Sequence, residues 1–197
     1  MPPHSSHRPG NRPSERRERR PRPPLDRAAL DALALAYVGR FATSRAKLVA
    51  YLGRKLRERG WGASDSSPGP DLDAVAGRLA GLGYIDDAVY AVAKARALTG
   101  RGFGERRIGQ ALRAAGIGEQ DGGEARALAH DERVAAALKM AQRRRIGPFA
   151  ATLLDPVQRD KALAAMLRAG HGFALARAII DLTPGHDIDH SHLDSLR

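Results

Sequence analysis

Three stretches of this chain carry side chains of the types and spacing that do chemistry: Asp86-Asp87, Gly100-Arg101-Gly102-Phe103-Gly104, and the segment holding His186, Asp187, Asp189, His190 and His192. Paired carboxylates can hold a divalent cation, but that takes six or more oxygens, and no third ligand lies near Asp86-Asp87. Adjacent acids just before a helical pattern are better explained as a cap on its free N–H groups. The glycine-rich stretch follows no strand and is not G-x-x-x-x-G-K-[ST], so a phosphate cradle is not expected there. The His/Asp segment follows Pro184-Gly185 in what reads as a loose tail over 186–197, with no further groups to orient the rings. His130 and His171 read as helix-boundary residues. No catalytic residue, metal site or cofactor is therefore expected.

The arginines and lysines are the stronger signal. The net charge is +11 and the pI about 10.9, which points to an anionic partner such as nucleic acid, a nucleoprotein or an acidic protein surface. Arg96, Arg101, Arg106, Arg107 and Arg113 gather in the middle of the chain, and Arg45, Lys47, Arg54 and Lys55 nearer its start. Guanidinium forks match carboxylates and phosphates, so these nine are the candidate partner- or nucleic-acid-binding residues. Arg96 has a competing reading as a buried structural residue, because it shares an apolar stripe.

Absences narrow the class. Without cysteine there is no thiolate catalysis, disulfide or zinc ribbon, a composition that suits the cytoplasm. The longest apolar run, residues 32–38, is too short to span a bilayer, and the basic N-terminus leads into prolines rather than a signal-peptide core. The apolar residues are mostly Ala and Leu, which favour helix and predict an all-α protein.

The elements that must position the cations follow from periodicity. Residues 1–24 hold seven Arg and two Glu, a charge of +5 that leaves +6 of the +11 for the rest. So polar a segment is expected to be a disordered basic tail. Leu30, Leu33, Ala34 and Tyr37 mark a first helix, and Thr43-Ser44 offer hydroxyl caps for a second that runs to Arg59 around Leu48, Leu52 and Leu56. After a turn-rich linker at 64–70, a third helix spans 71–81. The order repeats: helices over 87–98 and 105–115, a third within 119–129 weakened by Gly122-Gly123, then 131–144, one opened by Asp155 or Pro156 with Leu163, Met166 and Leu167 inward, and 173–182. On the first of these, Val89, Val92, Ala93 and Arg96 are expected to face inward.

The middle helices exit alike, as KLRERGW at 55–61, ALRAAGI at 111–117 and MLRAGHGF at 166–173. Gly116 follows Gly60 by 56 residues (116 − 60), and Gly170 follows Gly116 by 54 (170 − 116). Three such exits in the same helix order indicate an internal repeat, with units at 25–83, 84–129 and 130–185. Units this small must stack on their neighbours to bury a core.

The arrangement resembles the RecX family, bacterial modulators of the recombinase RecA. The resemblance spans 25–182 and is strongest in 82–117, LGYIDDAVYAVAKAR…GRGFGERRIGQALRAAGI. The Thr43-Ser44-Arg45-Ala46-Lys47-Leu48 cap resembles the family's first-repeat motif and 167–173 its last. Lys47 stands where the family has an acid and Ala115 where lysine is common, and an extra residue separates Gly170 from the apolar Phe173. The resemblance implies tandem three-helix repeats in an elongated curved array. It also implies binding in the groove of the RecA–DNA filament, lowering ATP hydrolysis, strand exchange and coprotease activity in repair and recombination. The expected partners are that filament and, weakly and without sequence preference, single- or double-stranded DNA, with the protein a monomer. A second reading is a direct DNA-binding regulator that uses helix pairs as helix-turn-helix modules. A third is a structural adaptor indifferent to both RecA and DNA.

Overall fold

The computed structural model describes residues 23–62 and 69–196. All but two residues of the basic tail, and most of the 64–70 linker, lie outside the described residues. Within them the chain is all-α, with ten α-helices and no strand. The first three-helix unit is α1 (Arg27–Arg40), α2 (Arg45–Arg59) and α3 (Leu72–Gly81). The second is α4 (Asp87–Thr99), α5 (Glu105–Ala114) and α6 (Glu119–Asp131). The third is α7 (Arg133–Arg144), α8 (Pro156–Arg168) and α9 (Phe173–Asp181), with a 3-10 turn at Gly147–Phe149 between α7 and α8 and a short α10 (His190–Ser195) at the end.

Most helices start where a side-chain oxygen meets a free backbone N–H. Asp26, Ser44, Asp71, Asp86, Asp155 and Asp189 each accept from the N–H three residues on, at 2.8–3.3 Å. Each such cap stabilises its helix by about 1 kcal/mol. Asp86 thus acts as a cap, as its position predicts.

Three cores are strung along the chain. Leu25, Leu30, Leu48, Leu52, Val75, Leu79 and Ile85 anchor the first. The second gathers Ala91, Val92, Ala95, Leu98, Ile108, Leu112, Ile117, Ala125 and Ala129. The third holds Val134, Leu138, Met140, Met166, Leu175, Ile179, Ile180 and Leu193, and Phe103 packs on both the second and the third.

Four expectations need correction. The inward face of α4 is Ala91, Val92, Ala95 and Leu98, whereas Val89, Ala93 and Arg96 face solvent. Small residues on α4 lie against Gly122, Ala125 and Ala129 of α6, the most extensive helix pair among the described residues. Close approach, rather than hydropathy, selects that face. Second, α6 runs unbroken through Gly122-Gly123, because packing on α4 outweighs the roughly 1 kcal/mol that each glycine costs a helix. Third, residues 186–197 are not a loose tail throughout: Asp189 caps α10, whose Leu193 is buried in the third core. Fourth, no residue is inserted after Gly170. His171 N–H donates to Met166 O as Ile117 N–H donates to Leu112 O, so buried His171 takes the position of Ile117 and Phe173 stays half exposed.

Candidate functional site

The cations are displayed by a scaffold whose units meet through the middle helices. At each joint the N-terminal end of one middle helix abuts the C-terminal exit of the next. At the first, the buried Ser44 hydroxyl caps α2 and donates to Ala115 O at 2.6 Å. Gly116 adopts a left-handed φ of 70°, and a Cβ there would collide with that of Ala46. The Arg45 backbone N–H and side-chain Nε donate to the two Asp87 oxygens, each at 2.9 Å. Arg45 Nη2 also reaches Asp121 Oδ2 at 3.2 Å. The hydrogen bond and charge of Asp87 hold the Arg45 guanidinium above its ordinary pKa.

The second joint repeats the register with other groups. Gly104, at the start of α5, donates its N–H to Ala169 O at 2.9 Å, and the N–H of Arg106 donates to Gly170 O at 3.2 Å. Gly104 has an ordinary φ of −86°, yet a Cβ there would overlap the Gly170 carbonyl. Gly170 has φ 94°, and its Cβ would lie 2.7 Å from that of Arg107. His171 Nε2 donates to Gly102 O at 3.1 Å, while its buried Nδ1 has no partner. Burial holds the His171 pKa below its ordinary value, with Gly102 O and the charge of Glu105 acting against the shift.

The third unit begins its middle helix differently. Asp155 accepts from Gln158 N–H at 2.8 Å, and the Asp155 N–H donates back to the Gln158 side chain at 3.0 Å, a closed capping box.

The nine candidate cations divide on this frame. Arg45 belongs to the first joint: its side chain is 51% exposed, but it is committed to Asp87, whose side chain is 6% exposed. Lys47 is exposed next to it, 5.4 Å over the Tyr90 ring. Arg54 and Lys55 share Glu58 and both lie over Tyr51. Arg101 stacks at 5.4 Å on Phe103, and its carbonyl accepts from Arg143. Arg96, Arg106, Arg107 and Arg113 are exposed and have no carboxylate partner among the described residues. Arg106 and Arg113, one α-helical face of α5, line a groove of about 460 Å³ with Gln110 and Arg126. Arg126 is itself tied back to the carbonyls of Gly118 and Glu119.

Sequence reasoning missed Asp87, Asp121 and His171 as joint residues. The signal for Asp87 was present, since one acid of the Asp86-Asp87 pair suffices for the cap and the second needed a cation. No group of three or more His, Asp or Glu side chains suited to a metal occurs among the described residues, and Asp189 is occupied as a cap. No helix among the described residues is long and apolar enough to cross a membrane.

No family model matches the chain. The regulatory protein RecX of Myxococcus xanthus (strain DK1622) is 31% identical over 182 residues, covering 87% of this chain and 96% of that protein. Two solved structures share the fold. A crystal structure of a regulatory protein RecX superposes with a TM-score of 0.57 at 23% identity, covering 78% of this chain and 73% of that one. RecX from Lactobacillus salivarius gives 0.51 at 20% identity, covering 78% and 91%. With the extent of the Myxococcus match and a tandem three-helix fold in common, the chain belongs to the RecX family and is a non-enzymatic regulatory protein.

Proposed function

We propose that this protein regulates a RecA recombinase by lying along its DNA filament, restraining ATP hydrolysis, strand exchange and coprotease activity. Family membership supports the recombinase as partner. The observation that carries the contact surface is the outer face of α5. Arg106, Arg107 and Arg113 stand there without carboxylate partners among the described residues, on a helix held by joints at both ends. A guanidinium whose backbone is already fixed loses little further freedom when it meets an anion. Arg96, Lys47 and Arg101 are exposed as well, whereas Arg45 is committed to the scaffold. Repeated weak contacts along a rigid array multiply affinity for a filament that repeats in turn. Bridging subunits would by itself stabilise a filament, so inhibition also requires preference for an inactive state or for a filament end. The protein is expected to act as a cytoplasmic monomer.

The helix-turn-helix reading finds less support. Such a module needs a free N-terminal end on its second helix to enter a major groove. The starts of α2 and α5, Ser44 and Gly104, are instead buried in the joints.

The test is the single-stranded-DNA-dependent ATP hydrolysis of the cognate RecA with substoichiometric protein. Inhibition should appear at ratios too low to cover the DNA. Arg106→Ala with Arg107→Ala should raise the concentration needed about tenfold, the loss of roughly one charge-assisted contact. Helicity by circular dichroism should not change. Undiminished inhibition would remove α5 from the contact surface.

A further inference from the structure

The first unit carries a feature that recombinase binding leaves unused. Tyr37 of α1 and Tyr51 of α2 stack with centroids 4.2 Å apart and planes at 17°. Phe41, which ends α1, continues the row at 5.4 Å from Tyr37, tilted by 50°. Phe41 is 50% exposed, so the row ends in an aromatic ring open to solvent. Cations flank it at both ends. The Arg40 guanidinium lies 5.5 Å from the Phe41 centroid, and Arg54 and Lys55 lie 5.6 and 6.0 Å from that of Tyr51. Among the described residues, Glu58 is the carboxylate paired with Arg54 and Lys55, so cations outnumber it in that set.

We propose that this row is a stacking platform for single-stranded nucleic acid, with an unpaired base on Phe41 and phosphates against Arg40, Arg54 and Lys55. Stacked aromatics offer a π-face to any base, and flanking cations track the backbone without reading sequence. A duplex does not fit this chemistry, because its base faces are already covered by their neighbours. The site lies on α1 and α2, apart from the α5 arginines, and its occupation needs no recombinase.

Fluorescence anisotropy with the full-length protein and labelled oligomers tests it. Oligothymidylate should bind about tenfold tighter than a deoxyribose-phosphate oligomer of equal length without bases, one base stack at the measured scale. Phe41→Leu keeps apolar bulk and should erase that difference, leaving affinity for the abasic oligomer unchanged, and Phe41→Trp should restore it. Oligouridylate separates the two sources of the ligand: a clear preference for either sugar names DNA or RNA as the strand bound. Equal binding of thymidylate and abasic oligomers by the wild-type protein overturns the platform, as does a thymidylate preference that survives Phe41→Leu. The ATPase test of the α5 arginines is independent of both results, so either reading can fail alone.

Discussion

The two joints of the array solve one geometric problem with opposite chemistry. In both, the start of a middle helix meets the carbonyl just before a left-handed glycine that ends the next middle helix. The first joint uses side chains: a hydroxyl, a buried carboxylate and an arginine with two acidic partners. The second uses backbone N–H groups made accessible by the absence of Cβ atoms, sealed by one neutral histidine. Register is therefore a property of helix ends, enforced by different residues at the two joints. The first joint depends on charge, and the second on shape and on a single proton.

The sharpest break of this contrast is Gly170→Ala. It forces a side chain into both a left-handed conformation and the Arg107 backbone, and should destabilise the second joint by roughly 2–5 kcal/mol. Urea unfolding would read this as an earlier transition, and a wild-type midpoint would refute the steric account. Asp87→Ala should cost about 1–2 kcal/mol, chiefly because it strands the Arg45 backbone N–H at the first joint, while the half-exposed guanidinium keeps Asp121. Added salt should weaken the wild-type protein but affect this variant less, in thermal melts across a potassium chloride series.

His171 gives a smaller effect with a defined sign. Its folded-state pKa lies below the ordinary value of about 6.5, so the unfolded chain takes up the proton first. The stability it contributes is full above pH 6.5 and falls as the pH drops through that value toward the folded pKa. His171→Leu, which approximates the Ile117 of the first joint, should flatten the part of the stability profile between pH 7 and 5. An unchanged slope would assign the acid sensitivity to another group. Least affected should be His130→Ala. It removes an exposed 2.9 Å contact with Glu105 and should move stability by no more than about 0.5 kcal/mol.

Helix starts and exits were legible in the sequence because they rest on local chemistry. Ser44, Asp71, Asp86 and Asp155 each offer an oxygen to an N–H three residues on, and Gly116 and Gly170 end helices wherever they sit. Tertiary choices were less visible. On α4 the periodicity of Val89, Val92, Ala93 and Arg96 matched a buried stripe as well as Ala91, Val92, Ala95 and Leu98 does. Only the small residues of α6 decide between them. Counting from Leu-Arg rather than from the glycine shifted the third exit by one residue and hid His171. Among the cations, spacing places Arg45 and Arg106 equally on a basic surface. The long-range position of Asp87 and Asp121 makes one a strut and leaves the other free.

The capping box at Asp155 has one more consequence. In the second joint, the N–H of the residue before the middle helix reaches across to the next unit, but at α8 the equivalent N–H is consumed by Gln158. The carboxylate beside it accepts hydrogen bonds and, ionised, donates none. The start of α8 is therefore closed on itself by one side-chain pair, and it lacks the outward donor that each joint uses.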